Sequence, residues 1–404
     1  MVPSMMEELL FDDILFGGKA RHEHETFSRV LKQLGIEVLD PLLLLEDCLK
    51  DPAVVSEVLN DLERNHGVGS RVRELLSALG PKELARDLIE GHMSANHASA
   101  HFSNHGADLA DLFDLLPTPN FFFQRDPQIV LGDRVLISAM TAGARKREPL
   151  LARTIFRHHP QLAGSCEVVE VAKRDSVLYP GFSSEAVTLE GGDVIVARED
   201  IALVGISERT NRRGIEVIAE ILRADQRTRG TLIVVELPRR RSYMHLDTVF
   251  TMIDQDACLA YLPVIVPGGP ESAHVYAVDL SRDELSFTVE RSLLDALKSR
   301  GMDLEIIPCG GEKLLNQQRE QWTDGANALA VAPGLIMLYA RNQRTVAELE
   351  RRGWRVMDDR RLLTSDIDPT ELGRTVITFV GDELSRARGG PRCMSHPLLR
   401  DPLS

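Results

Sequence analysis

The feature that most constrains this chain is a repeated order of elements: an apolar hairpin, a helix and a single strand, four times between residues 128 and 357. In the first unit the runs QIVL and RVLISA flank a Gly-Asp turn over residues 128–139, a helical pattern covers 148–158 and a strand covers 166–171. The second has strands at 193–197 and 201–205 around RED, a helix at 211–223 and a strand at 231–237. The third has strands at 248–253 and 257–262, a helix near 290–298 and a strand at 304–308. The fourth has strands at 328–332 and 335–339, a helix at 345–352 and a strand at 354–357. A unit this small cannot bury its apolar face alone, so the period predicts a cyclic or stacked array rather than one open sheet.

An incomplete fifth copy precedes these, with a strand over 9–16, a helix over 20–34 and a strand (IEVL) over 36–39, one hairpin strand short. From residue 40 to about 116 the pattern changes to short helices rich in Leu and Ala. The expected division is therefore an incomplete first unit (1–40), an all-helical insertion (41–116), and the remaining units with a C-terminal loop (117–404). A separate N-terminal helical domain is the alternative.

Composition narrows the class. A formal charge of −14 argues against binding nucleic acid or an anionic membrane by charge. No apolar run approaches the roughly 20 residues that span a bilayer, and the acidic start is not that of a signal peptide. Five cysteines, none in a C-x-x-C pair, argue against a disulfide framework or zinc ribbon. The expectation is a soluble, cytoplasmic protein. His22-Glu23-His24 is not a metal motif, because side chains two apart on a helix diverge, and no metal or nucleotide site is read from the sequence.

The polar motifs fall at equivalent places in the units. TPNFFFQRDP puts Asp126 just before the first hairpin, and LEGGD puts Glu190 before the second. YMHLDTVF puts His245 and Asp247 before the third, and QWTDGAN puts Asp324 and Asn327 before the fourth. The tail RARGGPRCMS places Cys393 after the last helix and strand. Each motif alone has a bland reading: Asp-Pro initiates turns, Gly-Gly-Asp feeds strands, and a His-x-Asp pair is usually structural. Around a pseudo-rotation axis, however, these positions converge on one pocket.

The set has a chemical logic. A Cys needs a nearby base or cation to become a thiolate, and His245 can supply that and then shuttle protons. Extra carboxylates would oppose an oxyanion and raise the thiol's pKa, which is wrong for a protease. They suit a planar guanidinium, whose N–H fork matches carboxylates. The deduced reaction is attack by sulfur on an amidine-like carbon with ammonia or an amine leaving. Arginines follow the hairpins at Arg145, Arg209 and Arg341, where a helix start favours anions, so some of them can reach an anionic substrate group. Arg388, five residues before Cys393, is a further candidate.

In their order, TPNFFFQRDP, LEGGD, ISERTN, MHLDTVFT, QWTDGANALAVAPG, YARNQRT and ARGGPRCMSHPL resemble the bacterial arginine deiminases, of the guanidine-modifying superfamily, from about residue 9 onward. The resemblance implies a five-bladed α/β propeller of ββαβ units with a helical insertion. It implies hydrolysis of L-arginine to L-citrulline and ammonia through a thiouronium intermediate, without metal or cofactor. Cys393 would be the nucleophile, His245 the proton shuttle, Asp126 and Asp247 the guanidinium holders, and Glu190 the group that orients His245. Arg209 and Arg145 would clamp the α-carboxylate, with Lys146 and Arg147 crowding the second match. Asn120 would lie near the amino-acid end, and Arg388 matches a mobile arginine. Relatives are often homo-oligomers.

The chain departs from the pattern at its start, where one strand is missing before LLFDD, and at Gln124, Ser385 and Ala387. Competing readings are a deiminase or amidinotransferase for agmatine or a methylated arginine, and a non-catalytic propeller that only binds. Agmatine lacks a carboxylate and would not need Arg209 and Arg145. A binding module would have no need of the full set Cys393, His245, Glu190, Asp126 and Asp247.

Overall fold

Apolar runs covered on both faces become strands here, and the amphipathic stretches between them become helices. The computed structural model describes residues 5–94, 112–173, 186–224, 230–282, 286–365 and 367–401, and shows a mixed α/β protein. Helix α1 (Gly17–Gln33) is followed by α2 (Pro41–Cys48), α3 (Pro52–His66), α4 (Ser70–Ser77) and α5 (Pro81–Glu90). Proline opens α2 and α3, and the Asp40 and Asp51 carboxylates accept from the N–H groups of Leu42 and Ala53. Their apolar faces, including Leu45, Val58, Leu62, Leu76 and Leu88, form one core that also takes Leu150, Leu151 and Ile155 of a later helix. Two short strands, β1 (His92–Met93) and β2 (Phe113–Leu115), pair antiparallel. Residues 95–111 of the expected insertion lie outside the described residues.

The first unit is β3 (Gln128–Leu131), β4 (Arg134–Ile137), α6 (Glu148–His158) and β5 (Glu167–Glu170); the second is β6 (Val194–Arg198), β7 (Ile201–Ile206), α7 (Arg212–Ala224) and β8 (Thr231–Glu236). In each, the hairpin is antiparallel and its second strand runs parallel to the strand after the helix. The third unit, β9 (Phe250–Met252) and β10 (Ala257–Ala260), is interrupted by α8 (Leu262–Ile265), β11 (His274–Asp279) and β12 (Phe287–Glu290). It resumes with α9 (Leu293–Lys298) and β13 (Glu305–Pro308), which pairs parallel with β10. The β11–β12 hairpin was not anticipated. It leaves its own unit and extends the second sheet, giving the order β12-β11-β8-β7-β6.

After α10 (Leu314–Trp322) the fourth unit has β14 (Leu329–Ala332), β15 (Leu335–Tyr339), α11 (Gln343–Arg351) and β16 (Arg355–Asp358), then α12 (Asp359–Thr364) and β17 (Thr375–Phe379). Here the expected pairing is corrected. The sheet order is β14-β15-β17-β16, so β17 takes the place beside β15 and β16 is pushed to the edge. The reason is burial: all five residues of TVITF are buried, whereas Arg355 and Asp358 of β16 are exposed.

The N-terminal copy is also corrected. Residues 9–16 and 36–39 form no strand; residues 5–10 turn tightly, with Leu10 at φ 65, and only the helix of that copy, α1, is present. Lacking a strand partner, the segment serves instead to cover the fourth sheet, where Phe27 stacks on Phe379 at 5.4 Å and Val30 and Leu31 join the same core. No helix among the described residues is long and apolar enough to cross a membrane.

Candidate active site

The turn before each hairpin delivers the polar motifs. A 3-10 turn, Pro119–Phe122, carries Asn120, and Asp126 follows just before β3. Glu190 precedes the turn Gly191–Asp193 that enters β6, and His245 and Asp247 belong to the turn that enters β9. The two glycines of LEGGD are required by close approach. A Cβ on Gly192 would lie 2.6 Å from His245 Nδ1 and 2.9 Å from Asp126 Oδ1, and one on Gly191 only 2.0 Å from the Arg125 carbonyl oxygen. Gly191 N–H also donates to the Asp126 carbonyl at 3.0 Å, joining the first two turns.

His245 sits between carboxylates. Its Nε2 donates to Glu190 Oε2 at 3.0 Å, and its Nδ1 lies 3.7 Å from Asp126 Oδ1. Burial opposes charge on this imidazole, but Asp126, the Glu190 hydrogen bond and Asp193 outweigh it and raise its pKa to about 9. Burial likewise works against the Glu190 charge, yet His245, Arg209 and Arg145 hold it at about 2. Glu190 also accepts from Thr141 N–H at 3.0 Å. The pair is thus a carboxylate and an imidazolium near neutral pH.

The nucleophile candidate is in the opposite condition. Cys393 is 5% exposed. Burial first, then Asp247, Asp126 and Asp324, push its thiol well above the ordinary range. Its N–H donates to Asn327 Oδ1 at 3.1 Å, Asn327 Nδ2 donates to the Asp247 carbonyl at 3.0 Å, and Arg125 N–H donates to the Cys393 carbonyl at 3.0 Å. The turns before β3, β9 and β14 therefore all fix the position of Cys393.

Both carboxylates expected to grip a guanidinium are half engaged by the chain's own arginines. Asp126 Oδ2 accepts from Arg145 Nη1 at 2.7 Å, and Asp247 Oδ2 accepts from Arg392 Nε at 3.2 Å. The other oxygen of each, Asp126 Oδ1 and Asp247 Oδ1, is buried and has no hydrogen-bond partner among the described residues.

The four sequence-predicted binding residues line the same pocket, with Asp126, His245 and Cys393. They are not equally available. Arg145 is spent on Asp126, on Glu148 through Nε and Nη2, and on the Asn120 carbonyl. Arg209 has no side-chain hydrogen bond to any described residue; its backbone N–H donates to Ser207 Oγ and its carbonyl accepts from Thr141 Oγ. Asn120 Nδ2 donates to the Leu9 carbonyl at 2.7 Å. Arg388, at φ 64, lies 3.4 Å over the Trp322 ring, and its Nε and Nη1 are buried with no hydrogen-bond partner among the described residues. Arg341 stays outside the pocket and bonds Ser385 and the Asp382 carbonyl.

Four contributors were not anticipated. Glu148 follows Arg145 by the three residues that bring side chains together on a helical turn, so that pair was legible. Arg392 adjoins Cys393, a signal in itself. Asp193 closes LEGGD, accepts from Leu246 N–H and Ser207 Oγ, and so ties the His245 turn to the Arg209 turn. Arg241 reaches the Leu10 carbonyl at 2.8 Å and Asp12 at 3.1 Å, a contact between segments about 230 residues apart that no local pattern announces.

The inner cavity holds about 20 Å³, room for roughly one water. Outside it lies a cavity of about 510 Å³, and Leu10, Arg209 and Arg241 line both. Among the described residues no group of three or more His, Cys, Asp or Glu side chains is arranged to hold a metal ion.

A family model described as arginine deiminase matches residues 7–400. An arginine deiminase of Bacillus cytotoxicus is 32% identical over 410 residues, covering 99% of this chain and 92% of that protein. One of Listeria welshimeri is 34% identical over 412 residues, covering 100% and 93%. Among solved structures, the N-terminal domain of a cyanobacterial arginine dihydrolase aligns with TM-score 0.42 and 16% identity over 68% of this chain and 74% of that one.

Proposed function

This chain belongs to the arginine deiminase family, and from that premise we propose that it hydrolyses free L-arginine to L-citrulline and ammonia at the pocket of Asp126, Glu190, His245, Asp247 and Cys393. The observation that carries the reading is a buried carboxylate oxygen on each of Asp126 and Asp247 with no hydrogen bond to a described residue, Asp126 lining a pocket with the Cys393 thiol and the His245 imidazolium and Asp247 near enough to push that thiol upward. A planar cation with several N–H donors answers both at once, and a neutral substrate would leave them unsatisfied.

The steps follow from the charges. The substrate guanidinium docks against Asp126 and Asp247 and offsets the carboxylates that keep Cys393 protonated, so the thiol yields its proton to solvent, where the released ammonia finally takes it up as ammonium, and sulfur attacks the guanidinium carbon. His245, held protonated by Asp126 and Glu190, gives its proton to the departing nitrogen, which leaves as ammonia. A covalent S-alkylthiouronium remains on Cys393. The now neutral His245 takes a proton from water, whose oxygen adds to the same carbon. The carbon–sulfur bond breaks, releasing citrulline and restoring the thiol and imidazolium.

Arg209, whose guanidinium makes no hydrogen bond to a described residue, meets the substrate α-carboxylate, and Asn120 lies at the same end. Arg145 acts mainly by holding Asp126. The same reading arranges the four sheets and α1 about a pseudo-rotation axis as a five-bladed propeller whose first blade is reduced to a helix, with residues 41–116 as a helical insertion. What supports it is the meeting of the pre-hairpin turns at one pocket.

The test is ammonia release by the purified chain, with citrulline formed from L-arginine or carbamoylputrescine from agmatine, beside Cys393→Ala. Citrulline from the intact chain, none from the variant and little turnover of agmatine are expected. A folded chain that binds arginine without releasing ammonia would overturn the reading in favour of a binding module.

A further inference from the structure

Glu23 of α1 is 2% exposed, and its carboxylate meets the segment that leads to Arg388 and Cys393. Its carboxylate accepts from three consecutive backbone N–H groups: Asp382 at 3.1 Å, Glu383 at 3.0 Å and Leu384 at 3.0 Å. Those groups open the short 3-10 turn Leu384–Ala387. The first N–H groups of such a turn have no partner within it, and a carboxylate satisfies them with charge-assisted hydrogen bonds. Neighbouring contacts reinforce the junction. Phe16 N–H donates to Glu383 at 2.8 Å, Lys19 pairs with Asp382 at 3.0 Å, and Arg386 pairs with Asp13 at 2.6 Å.

The far end of the segment is fixed separately. Tyr339 Oη donates to the Gly389 carbonyl at 2.8 Å, and Cys393 is held by Asn327 and Arg125. Between two anchored ends the chain must pass Arg388 through the left-handed region, at φ 64 and ψ 55, a conformation disfavoured for a residue with a Cβ. Releasing either end lets that strain relax.

We infer that Glu23 is a positioning residue for catalysis, which anchors the start of the catalytic loop from α1 and so keeps Arg388 and Cys393 aligned over the pocket. The inference rests on the reading of the pocket as a deiminase site. Asp126, Asp247, Asn120 and Arg209 stand on turns that Glu23 does not touch, so substrate binding is largely spared. Alignment of the attacking sulfur is not, and displacements near 1 Å cost about a hundredfold in rate.

The experiment compares Glu23→Gln and Glu23→Asp with the intact chain. Steady-state kinetics are read with L-arginine, and iodoacetamide labelling is resolved by cysteine through mass spectrometry. Glu23→Gln removes the charge and turns a donor toward the N–H groups. It is expected to lower kcat at least tenfold with KM changed less than threefold. Labelling at Cys393 should quicken while the buried Cys48, Cys258 and Cys309 stay protected, and Glu23→Asp should recover part of kcat. An unchanged kcat and unchanged Cys393 labelling would overturn the inference. So would equal acceleration at all four cysteines, which means general loosening. If the intact chain forms no citrulline, the deiminase reading itself fails, and that outcome is separate from any effect of Glu23.

Discussion

At the scale of single residues the site inverts the usual order of a thiol and an imidazole: the proton stays on both. Burial and three carboxylates keep it on Cys393, and Asp126, Glu190 and Asp193 keep it on His245 against the cost of burial. A resting thiolate–imidazolium pair would be consumed by stray electrophiles, whereas on the proposed mechanism the nucleophile forms only when a cation arrives. The general acid is available below the His245 pKa of about 9 and lost above it. On the proposed mechanism, kcat/KM therefore falls as pH rises through about 9, since that ratio reports the free enzyme. Glu190→Gln removes one of the groups that hold the proton, so the fall should move to lower pH. A pH–rate profile of both proteins checks this, and an unmoved limb would assign it to another group.

At the scale of elements the fourth sheet shows how burial chooses strand order. TVITF has the β-branched, continuously apolar character of a strand covered on both faces, and it lies between β15 and β16 with Ile377 fully buried. Ile377→Ala leaves a cavity under α1 and is expected to cost about 2–5 kcal/mol, read as a lower denaturant midpoint at similar slope. A loss below about 1 kcal/mol would mean that β17 is not central to this core. The sequence reading ended the fourth unit at residues 354–357 and did not anticipate this strand, and its place was not decided locally, because two parallel strands compete for one neighbour. The β11–β12 hairpin escaped for a related reason: Phe287 and Val289 are exposed on an edge strand, so the alternation that marks a half-buried strand is absent.

At the scale of the whole molecule the pocket is assembled from segments spread along nearly the entire chain, from Leu10 to Cys393. Leu10, Arg209 and Arg241 line both this cavity and the larger one of about 510 Å³. A ligand that bridges several units stabilises all of them. For Cys393→Ala, which binds without turnover, L-arginine at about a hundred times its Kd should add about 2.7 kcal/mol and raise the thermal midpoint by a few degrees. Agmatine at the same concentration should do little, because it offers Arg209 no carboxylate. Equal shifts with both would remove Arg209 from the carboxylate clamp.

By itself the sequence determined the order of the repeating units, the helix of each unit to within a few residues, and the motifs that stand before each hairpin, but not the helices Leu262–Ile265, Leu314–Trp322 and Asp359–Thr364. Hydrophobic period, turn residues and caps act over a few positions, and such local physics is readable along a single chain. Only the tertiary structure decided that the N-terminal copy is a helix without strands, that β17 displaces β16, and that Arg145 is spent on Asp126 and Glu148 while the Arg209 side chain makes no hydrogen bond to a described residue. It also decided that Glu23, unremarkable between two histidines, meets a loop some 360 residues away. Those outcomes depend on which groups compete for the same partner once distant segments are brought together, and on which polar groups must be satisfied when water is excluded.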